Sequence, residues 1–328
     1  MIAQPLHPAR RMVVGTDTAS DDAVALLLAA AAADTTIEAV TVVAGNVPVD
    51  RGVANALATL ELAGAGDVPV HPGCDRPLLR ELTTAEHVHG ADGMGGHAPP
   101  PAVRAPEREH AVDALIRLSH ERPGGLTLVT LGPLTNVATA LSRDPAMAKR
   151  YAAVYVMGGA ADGVGNVSAV AEFNIWADPE AAAMVFASGL PLVMVGWDVS
   201  RRYAVMRPAD QDRLAALGTA RARFTHRINA TLARFCATIT KLEGYDLPDP
   251  VTMAIAIDPG LILRSEELGV TVDTSFTRMR GMTVVDRLGI EGIAPNVTVV
   301  WDVDEDRFKQ QLMDACAADG GAAEAPGP

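Results

Sequence analysis

An α/β fold, with a mostly parallel central sheet flanked by helices and extra strands near the C-terminus, is predicted for this chain by three observations. Short apolar runs rich in Val and Leu alternate with segments of helical spacing, the chain order of strand–helix–strand units. Those runs are continuous rather than alternating, so the strands are expected to be buried on both faces, as parallel strands are. With 49% hydrophobic and 20% charged residues over 328 positions, the chain carries enough apolar side chain to build such a core without staples.

Taken in order, residues 12–16, 37–44, 126–131, 154–157 and 191–196 read as strands, and residues 21–33, 53–63, 111–120, 136–141 and 179–187 as the helices between them. Residues 220–240 read as one long helix. Further strands are expected near 281–285 and 296–301, ahead of a last helix over 305–316. No linker, repeat or composition break divides the chain, so 1–328 reads as one domain. Residues 1–10 and 318–328 offer little apolar area and are expected to be poorly ordered.

Charge and cysteine usage narrow the function. Against 40 Asp and Glu stand 27 Lys and Arg, a net charge of -13, and no basic patch offsets it; a nucleic-acid partner is therefore not expected. The apolar stretch 23–33 is too short to cross a bilayer, and the start Met-Ile-Ala-Gln-Pro lacks a signal-peptide pattern, so no membrane association and a cytoplasmic location are expected. Cys74, Cys236 and Cys316 have neither zinc-site spacing nor an even count, which fits free thiols in a reducing compartment.

In a doubly wound sheet, ligands bind outside the carboxyl ends of the strands, so polar residues just after strands are the candidates for chemistry. After the first strand comes Val14-Gly15-Thr16-Asp17-Thr18-Ala19-Ser20-Asp21-Asp22, three carboxylates within six residues and no Lys or Arg among them. One of them, Asp21, is explained by capping of the next helix. Three do not cap one helix. Their mutual repulsion is what a hard divalent cation with oxygen ligands relieves, and such an ion also holds a water for activation.

The same segment resembles the N-terminal signature of the inosine/uridine-type nucleoside hydrolases, Asp-x-Asp-Pro-Gly-x-Asp-Asp before an apolar helix. Here Gly15 stands for the first Asp and Thr18-Ala19 for Pro-Gly. Further segments agree in order over nearly the whole chain. They are Val43-Ala44-Gly45-Asn46, Val88-His89-Gly90-Ala91-Asp92-Gly93, Leu131-Gly132-Pro133-Leu134-Thr135-Asn136, the run from Met157-Gly158-Gly159 through Gly165-Asn166 and Glu172-Phe173-Asn174 to Asp178-Pro179, and Leu247-Pro248-Asp249-Pro250. The resemblance implies a Rossmann-like fold of nucleoside hydrolase type and a homodimer or homotetramer. It implies hydrolysis of the N-glycosidic bond of ribonucleosides to ribose and free base, through an oxocarbenium-like transition state.

By the same resemblance Asp17, both oxygens of Asp22, the Leu131 carbonyl and Asp249 coordinate Ca2+, and Asp17 takes a proton from the attacking water. Asp21 and Asn174 bind the 2′-hydroxyl, Asn166 and Glu172 hold the 5′ end, and Asn46 and Met157 line the ribose. Each has a plainer reading. Asn46 and Asn166 follow glycines and are turn formers, Met157 suits a core, and His89 either contacts the site or braces its Gly-rich loop. His226 reads as structural or exposed, and Trp176 as a packed indole or a base platform. Pro248 occupies the place where base-nonspecific family members carry a His before the metal-binding Asp, and it has no titratable group. Tyr245 and Asp246, read as a loop at the site mouth, are candidates to protonate the departing base.

Two other functions compete. A catalytically silent ribose- or nucleoside-binding protein of the same fold is motivated by Gly15. Thr16-Asp17-Thr18 also suggests the nucleophile motif of haloacid-dehalogenase-type phosphatases, but only one of their two Asp residues is present.

Overall fold

The computed structural model describes residues 10–318; of the termini expected to be poorly ordered, all but Arg10 and Ala318 lie outside that range. Its strands are β1 (Arg10–Thr16), β2 (Thr35–Val42), β3 (Val70–Pro72), β4 (Leu126–Thr130), β5 (Tyr151–Met157), β6 (Leu192–Val195), β7 (Val205–Met206), β8 (Tyr245–Asp246), β9 (Ile262–Val272), β10 (Thr283–Asp286) and β11 (Val297–Val303). Nine of them form one sheet in the order β10-β9-β11-β6-β5-β4-β1-β2-β3. Pairings from β11 to β3 are parallel, whereas β9 runs antiparallel to β11 and β10 antiparallel to β9.

The segment β3-β2-β1-β4-β5-β6 has the strand order of a doubly wound Rossmann sheet, which reverses direction between β1 and β4. At that switch Gly15 of β1 sits in register with Thr41 of β2 and Thr130 of β4, so the three strands end together. Residues that follow them meet over one crevice.

Burial on both faces explains the continuous apolar runs. Met12 and Val14 enter one core with the helices Ser20–Ala31, Val49–Leu62, Pro248–Ile257 and Glu305–Ala317. Val13 and Leu128 enter the other, beneath Ala111–Glu121, Thr135–Arg143 and Pro179–Phe186. The helix Ser20–Ala31 is buried from Ser20 through Ala29, because Pro248–Ile257 and Glu305–Ala317 pack over it. That packing carries Asp249, in the first turn of its helix, to the start of Ser20–Ala31.

Several elements differ from expectation, among them the unforeseen helices Trp197–Tyr203, Pro208–Ala216 and Pro248–Ile257. The longest strand, β9, escapes sequence reading because its middle, Arg264-Ser265-Glu266-Glu267, is polar and exposed. The expected helix over 220–240 is broken into Ala220–Ile228, Ala230–Phe235 and a π-helical turn Cys236–Thr240 that ends on Lys241 at φ 60°. At the break Asn229 turns its amide back to the Thr225 carbonyl, 2.9 Å away, and so competes with the helical bonds. Finally, Tyr245 and Asp246 are not in a loop at the site mouth. They form β8, paired with β7, and both are buried.

Candidate active site

Asp17 follows β1 directly and is fully buried. Its Oδ2 accepts the Asn46 amide at 2.6 Å, while Oδ1 has no hydrogen-bond partner. Two glycines make room for it. A Cβ on Gly45 would stand 2.1 Å from Asp17 Oδ2, and one on Gly132 would stand 2.8 Å from Oδ1. The Gly-Asn turn after β2 and the Gly-Pro-Leu turn after β4 therefore carry glycine because the carboxylate presses against their backbones.

Asp22 rather than Asp21 secures the start of its helix. Asp22 Oδ2 accepts the Ala19 amide at 2.9 Å, and Oδ1 accepts the Thr16 hydroxyl at 2.5 Å. Asp21, expected as a cap, instead leaves its Oδ1 buried without a hydrogen bond. The nearest cation-forming group is His89, whose Nδ1 lies 3.7 Å from that oxygen and 2.9 Å from the Ser20 hydroxyl. Burial holds the His89 imidazole down at about 4, so at neutral pH it brings no charge to the acids.

Asp249 completes the cluster. Asp21, Asp22 and Asp249 each place a carboxylate oxygen within 4.8 Å of the others, all buried. Such proximity costs energy without a counter-charge. Burial first, then the repulsion of Asp22, pushes Asp17 well above the usual carboxylate range; for Asp249, burial is followed by repulsion from Asp21, Asp22 and Asp17. Burial raises Asp21 to about 7 and Asp22 to about 6. Asp17 is not in that close group and is coupled to it through charge alone; one oxygen each of Asp17 and Asp21 is unpaired, and among the described residues no Lys or Arg is paired with the four acids. A hard divalent cation bound by oxygen fits this donor set.

The opposite side is built from β4 and the short helix Phe173–Ala177. The Leu131 carbonyl, just past β4, is approached by Asn174 Nδ2 at 2.6 Å, and the same amide contacts the Met157 carbonyl at 3.2 Å. Glu172 caps this helix: Oε1 accepts the Asn174 amide at 2.9 Å, and Oε2 accepts those of Gly159 and Ile175 at 2.9 and 3.4 Å. Burial nevertheless raises it to about 7. Asn166 accepts the Phe173 amide at 2.9 Å, which ties the intervening loop to the helix.

One pocket gathers nearly all of these groups. Asp21, Asn46, His89, Leu131 and Met157 line it, as do Asn166, Glu172, Asn174 and Asp249; Asp17 and Asp22 are not among the lining residues and are fully buried. Trp176 does not line it, and stacks instead under the Arg280 guanidinium at 3.9 Å. His226 is exposed. Sequence reading missed the aromatic end of the pocket, Trp197, Phe173 and Phe235 with Leu232. Trp197 carried a usable signal, since it stands two residues past β6 as Asp17 follows β1. Phe235 carried none, because its helix looks continuous in sequence.

A family model for inosine-uridine preferring nucleoside hydrolases matches residues 12–310. The chain belongs to the inosine-uridine nucleoside hydrolase family. Among its relatives, the pyrimidine-specific ribonucleoside hydrolase RihA of Enterobacter sp. is 38% identical over 311 residues, 93% of this chain and 97% of the relative. A solved plant nucleoside hydrolase superposes with a TM-score of 0.88 at 32% identity, over 95% of this chain and all of the other. A purine-preferring ribonucleoside hydrolase from Gardnerella vaginalis gives 0.87 at 29% identity, over 94% and 98%. The fold expected from sequence, Rossmann-like with added C-terminal strands, is thus that of nucleoside hydrolases, and the chain is a nucleoside hydrolase enzyme. The phosphatase reading does not stand beside this membership. At Gly15 the heavy atoms nearest to a Cβ belong to Thr130 and Thr41, at 3.6 Å.

Proposed function

We propose that this enzyme hydrolyses ribonucleosides to ribose and free base with a water held at a Ca2+ site made by Asp17, Asp22, Asp249 and the Leu131 carbonyl. The observation that carries this reading is the pair of buried carboxylate oxygens without hydrogen bonds, Asp17 Oδ1 and Asp21 Oδ1, that follow the carboxyl end of β1. A bound calcium ion would offset the clustered negative charge and lower the pKa of its water.

The remaining work falls to side chains. Asp17 Oδ1, buried and without a donor, is suited to take the water's proton. Asp21 and Asn174 hold the 2′-hydroxyl; the free Oδ1 of Asp21 supports that role as well as membership of the metal cluster. Glu172, fixed by three backbone amides, and Asn166 receive the 5′ end, while Asn46, Met157 and His89 shape the ribose pocket. As the glycosidic bond breaks, positive charge grows on the sugar ring, and the surrounding carboxylates favour it. A single domain over 1–328, a homodimer or homotetramer and a cytoplasmic location belong to the same proposal. Among the described residues no helix is long and apolar enough to cross a membrane.

The test is ribose and base release from uridine, cytidine, inosine, guanosine and adenosine with Ca2+ present. Equimolar ribose and free base from at least one of them is expected. No ribose from any, with or without Ca2+, contradicts the proposal.

A further inference from the structure

A nucleobase anion leaves poorly from C1′ unless it is protonated, so the pocket needs a proton donor at the base end. Most of its polar groups are committed elsewhere. Asp21 and Asp249 belong to the acidic floor, both oxygens of Glu172 accept backbone amides, and His89 Nδ1 is tied to Ser20. His87 is exposed and lies edge-on to Phe235 at 5.8 Å. Tyr245 does not line the pocket, and the groups whose charge it feels are Cys316 and Asp210, on other helices.

Asp246 differs from all of these. It lines the pocket beside Trp197 and Phe235, the aromatic end where a base rather than a sugar fits. Its Oδ2 accepts Trp197 Nε1 at 2.8 Å and the Ser200 hydroxyl at 2.9 Å. Oδ1 meets only the Cys236 thiol, at 3.7 Å, a weak donor. One oxygen is anchored and the other is free to carry a proton.

We propose that Asp246 is the proton donor to the departing base, held by Trp197 and Ser200 through Oδ2 and acting from Oδ1; this rests on the hydrolase function above. Burial raises this carboxyl above its ordinary value, and the two donors to Oδ2 offset part of that rise. In the step, the electron pair of the C1′–N bond goes to the base and the Asp246 proton goes to a base nitrogen. The water adds hydroxide to C1′ and gives its other proton to Asp17, and solvent then restores both acids. The carboxylate that remains also suits a base with an N–H edge.

The experiment compares kcat/KM for uridine, inosine and 4-nitrophenyl riboside, whose phenolate leaves without protonation, in the wild type and in Asp246→Asn. The amide keeps an acceptor for Trp197 and Ser200 but has no acidic proton to transfer. Expected is a loss of about 100-fold or more on both nucleosides, with the nitrophenyl riboside within about threefold. Equal losses on all three substrates, or no loss, overturn the assignment and leave the hydrolase function standing. A wild type that cleaves none of them sinks the function itself. Should Asp246→Asn not fold, Ser200→Ala provides the same reading: Ser200 donates to Asp246 Oδ2 and does not line the pocket, so its loss is expected to cost the nucleosides about 10-fold and to spare the nitrophenyl riboside, and a uniform loss overturns it.

Discussion

Asp17→Asn is expected to fold as the wild type does and to lose about 100- to 10,000-fold in kcat, the range that general-base catalysis supplies, equivalent to about 3 to 5 kcal/mol of barrier. Folding should survive because the amide carbonyl can still accept the Asn46 N–H that Oδ2 accepts now, in the same close fit against Gly45 and Gly132. Removing one charge from a crowded group of acids also relieves repulsion with Asp22 and Asp21. Chemistry should not survive, because the unpaired Oδ1 is both the proposed proton acceptor and a proposed ion ligand. Steady-state ribose release, read with a thermal melt of the same sample, checks both parts. A folded variant within about threefold of wild type shows that the water's proton goes elsewhere, since that is well under 1 kcal/mol.

Uridine and 2′-deoxyuridine should differ almost as much. The 2′-hydroxyl is assigned to Asp21, whose buried Oδ1 has no hydrogen bond, and to the buried Asn174, whose amide the Leu131 and Met157 carbonyls hold in place. A deoxy substrate leaves such groups unpaired, at about 1 to 3 kcal/mol each, so a combined loss of about 2 to 6 kcal/mol in kcat/KM is expected. By the same logic, Asn174→Ala should narrow the gap between the two substrates by lowering uridine more than deoxyuridine. Equal rates on both substrates in the wild type would remove Asp21 and Asn174 from that role.

How much of this was legible in the sequence follows from what each feature depends on. The acidic trio and the glycine turns were readable because each lies at a strand end, where local pattern and chemistry coincide, and Glu172-Phe173-Asn174, well past β5, was readable through its match to the family motif. Strands β1, β4, β5 and β6 were readable because burial on both faces leaves an uninterrupted apolar run. β9 was not, since a polar, exposed strand has no such signature and exists through its pairing with β11. The division of labour among the acids also needed three dimensions. Asp21 looked like a cap, but the fold gives capping to Asp22 and leaves Asp21 unpaired beside Asp249, 228 residues away in sequence. The aromatic end was hidden for the same reason, since Trp197 and Phe235 come from separate elements; Asp246 was a candidate from sequence, but its place in a buried strand paired with β7 needed the fold.

The most direct test of the central claim, a nucleoside hydrolase whose clustered acids work through a bound divalent ion, is to measure metal content and ribose release on the same samples. The protein is stripped with chelator and then titrated with Ca2+. Activity is expected to vanish on stripping and to return in proportion to bound calcium, reaching its full rate at about one ion per acidic cluster. Full ribose release from protein in excess chelator, with no metal found by elemental analysis, would contradict it.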